Sequence, residues 1–358
     1  MTRRAFLGFG LGLWAVVICA AAASEPKWIK LPTEPYTLNN KQDAITFADA
    51  KRGWYGNGTG RVYRTDDAGA SWTLIWERRG TYVRALEFAD ANLGFLGNIG
   101  SDYYPDVSDA QPLYVTRDGG EHWNPVTTQD GRQIKGVCAI DILKVDGKVV
   151  AVRAGGRVGG PAEMLETFDE GKTWHARDMH DVTGMILDIK FVDGETGFIA
   201  GSTEPGEDKA HARILKTSDG GKSWRSVFES PRANDNNWKL AFPSAQVGYA
   251  TIMSYLAPED EARGYVVKTA DGGEHWEKVV VTRDKDWVPY GIAFTDETHG
   301  YVGGSTGGYE TRDGGRSWRA VSMGLSVNKI RFVTGADGGK TAYAIGEDVH
   351  KLNMPAGQ

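Results

Sequence analysis

Cysteine is almost absent from this sequence. Its 358 residues hold two, Cys19 and Cys138. A disulfide framework is therefore excluded. Cys138 lies in the apolar run Val137-Cys138-Ala139-Ile140 with no histidine near it in sequence. That context predicts a buried, inert thiol rather than a nucleophile. Histidine is also scarce. The seven copies are scattered and show no zinc spacing, so no metal site is expected. Basic residues are outnumbered, 41 against 47 acidic, for a formal charge of −6. Without Arg3 and Arg4 the balance is −8, which argues against nucleic acid as a partner. After residue 23 no apolar run is long enough to cross a bilayer. No stretch carries a convincing helical period.

Residues 1–23 read as an export signal, which leaves 24–358 as one domain. Arg3-Arg4 precede an apolar run from Ala5 to Ala23, and Ala21-Ala22-Ala23 offers a small-residue cleavage site before Ser24. Thr2-Arg3-Arg4-Ala5-Phe6-Leu7 also resembles a twin-arginine signal. An ordinary secretory signal and an uncleaved anchor stay open. Lipid attachment at Cys19 is disfavoured, because Val17-Ile18 is a poor lead-in. Every one of these readings places the body outside the cytoplasm.

Glycine and tryptophan are abundant, at 47 and 12 copies, as suits an all-β chain with many turns. Many of them belong to one repeated stretch of eight residues. Thr116-Arg117-Asp118-Gly119-Gly120-Glu121-His122-Trp123 recurs from Thr65, Thr167, Thr217, Thr269 and Thr311. Successive starts lie 51, 51, 50, 52 and 42 residues apart by subtraction. A period near fifty marks repeated supersecondary units. The aspartates Asp67, Asp118, Asp169, Asp219, Asp271 and Asp313 sit beside glycines in hairpin chemistry. The tryptophans Trp72, Trp123, Trp174, Trp224, Trp276 and Trp318 open the strand that follows and fill one recurring gap. The motif resembles the Asp-box, or bacterial neuraminidase repeat, of β-propellers. Six equivalent sites serve a fold better than a reaction, so these residues are read as structural, and the chain as offering no catalytic residue among them. His122 and His275 take the serine place of the motif and are read the same way.

Each repeat predicts four strands. The first carries Ile/Leu-x-Phe, as in Leu86-Glu87-Phe88, with Ile140-Asp141-Ile142 as the variant in unit three. The second opens with Gly-aromatic, as in Gly94-Phe95. The third enters the Asp-box and the fourth leaves it. Counting first strands gives seven units, the last with only three strands. Lys27-Trp28-Ile29-Lys30-Leu31 resembles the tryptophan strands and is expected to supply the fourth. The expectation is a seven-bladed β-propeller closed by its N-terminal strand, which hides the edges of an open array.

Seven blades, an export signal and Asp-boxes spaced near fifty resemble the photosystem II stability/assembly factor family over roughly residues 27–352. The resemblance implies an exported, non-catalytic assembly chaperone for a membrane complex, without cofactor. In an oxygenic phototroph it implies the thylakoid lumen; in another bacterium, the periplasm. Family members bind their partner with a surface that includes an arginine patch. The motifs that carry the resemblance are fold residues and do not locate that patch here.

Binding is expected on the face where loops vary most, opposite the Asp-box turns. Arg78, Arg79, Tyr82, Tyr103, Tyr104, Arg153, Arg157, Trp287 and Tyr290 are the partner-binding candidates. Arginine and large aromatics dominate interface hot spots. The expected partner is a protein and the expected state a monomer. Asp102, Asp106 and Asp109 fit no calcium loop, and the glycines of 155–160 lack the Lys-Ser/Thr of a phosphate loop. The alternative function is a glycan-processing hydrolase, since Asp-boxes also occur in sialidases and glycosidases. Against it, no Arg-Ile-Pro signature is present. For it, Glu87, Asp141 and Asp188 lie on first strands where a pair of carboxylates would work.

Overall fold

The computed structural model describes residues 26–38, 40–101, 103–206 and 208–356. The expected export signal and Asp102 lie outside them. The described residues form seven four-stranded antiparallel sheets and no helix. Blades one to six occupy 42–77, 83–125, 139–178, 186–229, 236–279 and 289–325. In each, the strands pair in sequence order from the axis outward. Blade seven takes three strands from 329–354, and its fourth is Ile29–Lys30, which pairs with Val349–Met354. The ring is therefore closed by hydrogen bonds between residues more than three hundred positions apart. Trp28 stands edge-on to Tyr301 of blade six at 5.6 Å, and Leu31 is buried against blades one and seven.

The two blade motifs explain each other. The glycine of each Gly-aromatic pair makes room for the phenylalanine of its own blade's first strand. A Cβ at Gly53 would lie 2.3 Å from the Phe47 ring, and one at Gly248 would lie 2.4 Å from Phe242. The phenylalanine then stacks on the aromatic of the preceding blade. Phe88 lies on Trp54 at 3.6 Å, Phe294 on Tyr249 at 3.8 Å and Phe47 on Tyr343 at 3.9 Å. The Asp-box tryptophan meets that stack edge-on, as Trp123 meets Phe88 at 5.9 Å. Blade three has Ile142 in place of the phenylalanine, and its Trp174 packs on Phe95 of blade two instead. Trp174 is the most enclosed of the six, at 2% exposed.

The Asp-box turn is a closed hydrogen-bond set. In blade one, Thr65 Oγ1 donates to Asp67 Oδ1 and accepts from the Gly69 N–H. Asp67 accepts the N–H and the hydroxyl of Ser71 at 2.9 and 2.6 Å. In blades two and five the ring Nδ1 of His122 and His275 replaces the hydroxyl at 2.7 Å. All six aspartates stay on turns at the outer rim.

Three outcomes follow. A variant lacking 26–35 loses the closing strand, Trp28 and Leu31 together, so its melting temperature falls for the whole ring in one transition. An unchanged melting temperature would mean that closure contributes nothing. Trp174→Ala costs about 3–5 kcal/mol in denaturant unfolding, the range for emptying a buried aromatic site, and the partly buried Trp224→Ala costs less. Acid acts through the turns. Hydroxyl and backbone donors from Ser71 and Ser317, with Thr65 and Thr311, hold Asp67 and Asp313 at about 2, below the ordinary 3.8. Their stabilisation is complete above about pH 4 and is lost as pH falls through 2. Melting temperature therefore drops across that window, and Asp67→Asn with Asp313→Asn makes the drop shallower.

Candidate interaction surfaces

Two faces follow from the strand order. The turns joining strands one to two and three to four, including every Asp-box, lie on the hairpin face. The longer loops joining strands two to three, and each blade to the next, lie on the loop face.

On the loop face, apolar residues from five blades meet over the axis. Tyr82, Cys138, Leu187, Trp238 and Val288 belong to one buried cluster, with Tyr103 and Tyr290 packed against it. Beneath them is a polar knot. Asp43 accepts the Tyr82 hydroxyl at 2.6 Å, the Asn328 amide at 2.8 Å and the Arg84 guanidinium at 3.3 Å. Burial opposes the charge on Asp43, but Lys41 and Arg84 hold its carboxyl below the ordinary value. Arg84 also lies 5.2 Å from the centre of the Trp238 ring, which joins blade two to blade five.

An aromatic line continues outward from this plug on both sides. Tyr82 stacks with Tyr104 at 5.3 Å, and Tyr103 stands edge-on to Tyr104 at 4.6 Å. On the far side, Trp238 meets Tyr290 at 6.5 Å, and Tyr290 meets Tyr255 at 6.5 Å. The line is buried at its centre and open at its ends. Tyr104 is 44% exposed, Tyr255 52% and the adjoining Leu256 55%.

The sequence candidates separate on this geometry. Arg78 and Arg79 are exposed on the loop face, with Arg78 paired to Asp109 at 3.0 Å. Tyr103, Tyr104 and Tyr290 lie on the aromatic line. Tyr82 is part of it but buried. Three expectations of an exposed loop residue are corrected. Arg153 is not in a loop. The valine-rich run Val149-Val150-Ala151-Val152 carries the second strand of blade three from Lys148 to Gly155. Its guanidinium is buried between blades, 3.3 Å from Glu166, 3.0 Å from the Gly220 carbonyl and 3.5 Å from the Phe191 ring centre. Arg157 is on the loop face but buried. It ties the carbonyls of Gly160 and Ser101 together and serves as loop scaffold. Trp287 is 3% exposed and packs edge-on against Tyr309 within blade six.

Arg84, Trp238, Tyr255 and Leu256 were not singled out from sequence. The first two sit at irregular positions inside a first strand, each skipped where the pairing register shifts. No motif marks them. Tyr255-Leu256 was detectable as an apolar pair inside a long polar loop.

The hairpin face opens into the axis. A cavity of about 430 Å³ is lined by first strands, from Asp188, Lys239 and Lys329 inward to Lys144 and Pro243 at the turn end. Glu87, Asp141 and Asp188, the carboxylates considered for glycan chemistry, all line it. Each is engaged. Glu87 pairs with Arg331, Asp141 with Lys190 at 3.0 Å and Asp188 with Lys239 at 3.6 Å. Asp109 is likewise taken up by Thr81, Tyr114 and Arg78. No group of three potential metal ligands occurs among the described residues. Among the same residues, no helix is long and apolar enough to cross a membrane.

No family model matches the chain. The photosystem II assembly lipoprotein Ycf48 of Synechococcus sp. (strain CC9902) is 24% identical over 365 residues, covering 95% of this chain and 92% of that protein. Among solved structures, YCF48 bound to D1 peptide superposes with a TM-score of 0.63 at 15% identity, covering 92% of this chain and 97% of the other. An ancestral GH74 enzyme superposes with a TM-score of 0.64 at 16% identity, but this chain spans only 45% of that enzyme's length. The two structural likenesses concern the fold, while the sequence likeness runs through nearly all of the chain. Blade count, ring closure, Asp-boxes and that sequence likeness together mark the chain as a seven-bladed β-propeller homologous to the photosystem II assembly lipoprotein Ycf48.

Proposed function

We propose that this chain is an exported, non-catalytic scaffold that binds a protein partner and assists the assembly or stability of a membrane protein complex. The observation that carries the reading is the aromatic line across the loop face. Its buried centre fixes the rings, and its exposed ends offer rigid apolar area at low entropic cost, as interface hot spots do. The names of its relatives support the same role. One is an assembly lipoprotein, and another was solved with a peptide of D1 bound. Residues 1–23 act as the export signal and 24–358 as the single working domain. Export places the propeller in the periplasm, or in the thylakoid lumen if the source is an oxygenic phototroph. The protein works as a monomer, needs no cofactor and does not engage nucleic acid.

The partner segment lies along the line from Tyr104 to Tyr255, with Arg78 and Arg79 beside it to meet carboxylates. A planar guanidinium grips a carboxylate at two points, so lysine is an incomplete substitute there. Arg153 has no part in docking, since it is sealed between blades.

The test is capture of a membrane-complex subunit from the source's own membranes, with a D1 peptide as the defined ligand. Tyr104→Ala with Tyr255→Ala weakens binding by about ten- to a hundredfold, as expected for losing two hot-spot rings. The melting temperature changes little, because both rings are half exposed. Undiminished capture by this folded double variant would overturn the docking surface. Glycan turnover abolished by Asp141→Asn or Asp188→Asn would overturn the non-catalytic reading.

A further inference from the structure

The axial cavity has more cations than it can pair internally. Lys144, Lys190, Lys239, Lys329 and Arg331 line it, against the carboxylates of Glu87, Asp141 and Asp188. Three cations take one carboxylate each: Arg331, Lys190 and Lys239. Lys144, at the mouth, spends its ammonium on the Ala89 carbonyl. Lys329 is left over. It is only 6% exposed, it lines the cavity, and its ammonium has no hydrogen-bonded or ion-paired partner among the described residues. An ammonium this enclosed, with no carboxylate in direct contact, is costly to keep charged. The whole chain is acidic, so this local excess of positive charge is not a general property of the surface.

The shape of the cavity says from where a ligand arrives. The residue before each Ile/Leu-x-Phe unit and the residue at its centre form two rings of axial positions. Asp188, Lys239 and Lys329 belong to the inner ring; Glu87, Asp141, Lys190 and Arg331 belong to the ring nearer the hairpin face. Above the inner ring the apolar cluster with Trp238 and Leu187, and the Arg84–Asp43 knot, fill the loop end. Entry is from the hairpin face.

We propose that this cavity is a carboxylate-binding site, in which an anionic group enters from the hairpin face and seats on the Lys329 ammonium. One negative charge completes the fourth pair. The opposed charges nearby set selectivity. Glu87 and Asp188 flank the seat and repel a second negative charge, which favours a monocarboxylate over a dianion. The source is either a small free acid or the carboxyl end of a peptide, since both present the same group. The inference is independent of the docking reading, which concerns the other end of the ring.

Protonation is coupled to binding. Burial first, then the Arg331 and Lys239 charges, lower the Lys329 ammonium to about 7, while Glu87 and Asp188 act in the opposite sense. Near neutrality the site is therefore part neutral when empty, and a bound carboxylate draws a proton onto it. Affinity falls about tenfold for each pH unit above 7, because only the charged form accepts the anion.

The experiment is lysine side-chain NMR on the mature protein, with the Lys329 signal assigned by its loss in Lys329→Met. Sodium acetate, a five-residue peptide with a free carboxyl end and the same peptide amidated are added in separate pH titrations. At about ten times its dissociation constant, acetate or the free-acid peptide is expected to raise the Lys329 midpoint by about one pH unit, because only the charged form binds it. A response to acetate identifies small acids as sufficient, and a response to the free-acid peptide alone identifies a chain end. In Lys329→Met the accompanying shift of the Lys239 signal is expected to disappear. That variant removes an unpaired buried charge, so it folds and melts no lower than the parent. An unmoved Lys329 midpoint with both acids, an equal response to the amidated peptide, or an undiminished Lys239 shift in Lys329→Met would each overturn the site.

Discussion

The ring depends on one contact made repeatedly, a phenylalanine of one blade lying flat on the aromatic ring of the blade before it. Phe88 on Trp54 and Phe294 on Tyr249 show it in full, with the planes within 8° of parallel in both. Stacked rings contribute about 0.5–1.5 kcal/mol beyond their buried area. Their larger effect is geometric. Each stack fixes how far one sheet sits from the next at four of the seven blade junctions, Phe47 on Tyr343, Phe88 on Trp54, Phe242 on Phe198 and Phe294 on Tyr249. The glycine beside each second-strand aromatic and the Asp-box tryptophan then follow as necessities. The glycine lets the phenylalanine lie close, and the tryptophan caps the stack from the rim.

A ring set by its walls leaves the axis to be filled separately, and the two ends are filled differently. At the loop end, side chains from distant blades meet and close it with apolar surface and one polar knot centred on Asp43. Toward the hairpin face, the first strands carry charge. Pairing there ties blades together: Glu87 of blade two reaches past blade one to Arg331 of blade seven, and Asp141 of blade three meets Lys190 of the adjacent blade four. Buried pairs of this kind add little net stability over an apolar filling. Their effect is to leave the axis lined with charge while the walls between blades stay apolar.

Much of this was legible in the sequence because the repeat is written in residues whose role is local. Asp-box turns, Gly-aromatic strands and the Trp28 strand were each recognisable from a few adjacent positions, and all stand where expected. The surface was less legible. Arg153 reads as a loop residue beside a glycine run, yet strand pairing with Asp141 and Glu166 carries it into the wall. Trp287 reads as an exposed aromatic in a charged loop, yet Gly304 leaves a slot that its indole fills. Arg84 and Trp238 reach each other across the axis from 154 positions apart, by subtraction. Burial at such places is decided by what arrives from other blades, and no local pattern records it.

The non-covalent seam in blade seven also sets how the molecule could come apart and recombine. Bringing Ile29 to Lys351 closes a loop of more than three hundred residues, which costs on the order of 5 kcal/mol in chain entropy. Between two molecules at high concentration that cost is replaced by one of association. The Ile29–Lys30 strand of one copy can then take the vacant edge of blade seven in another, and the reciprocal exchange leaves no edge open. The seam that makes the ring continuous is thus also the place where one ring can be traded for a strand-swapped pair.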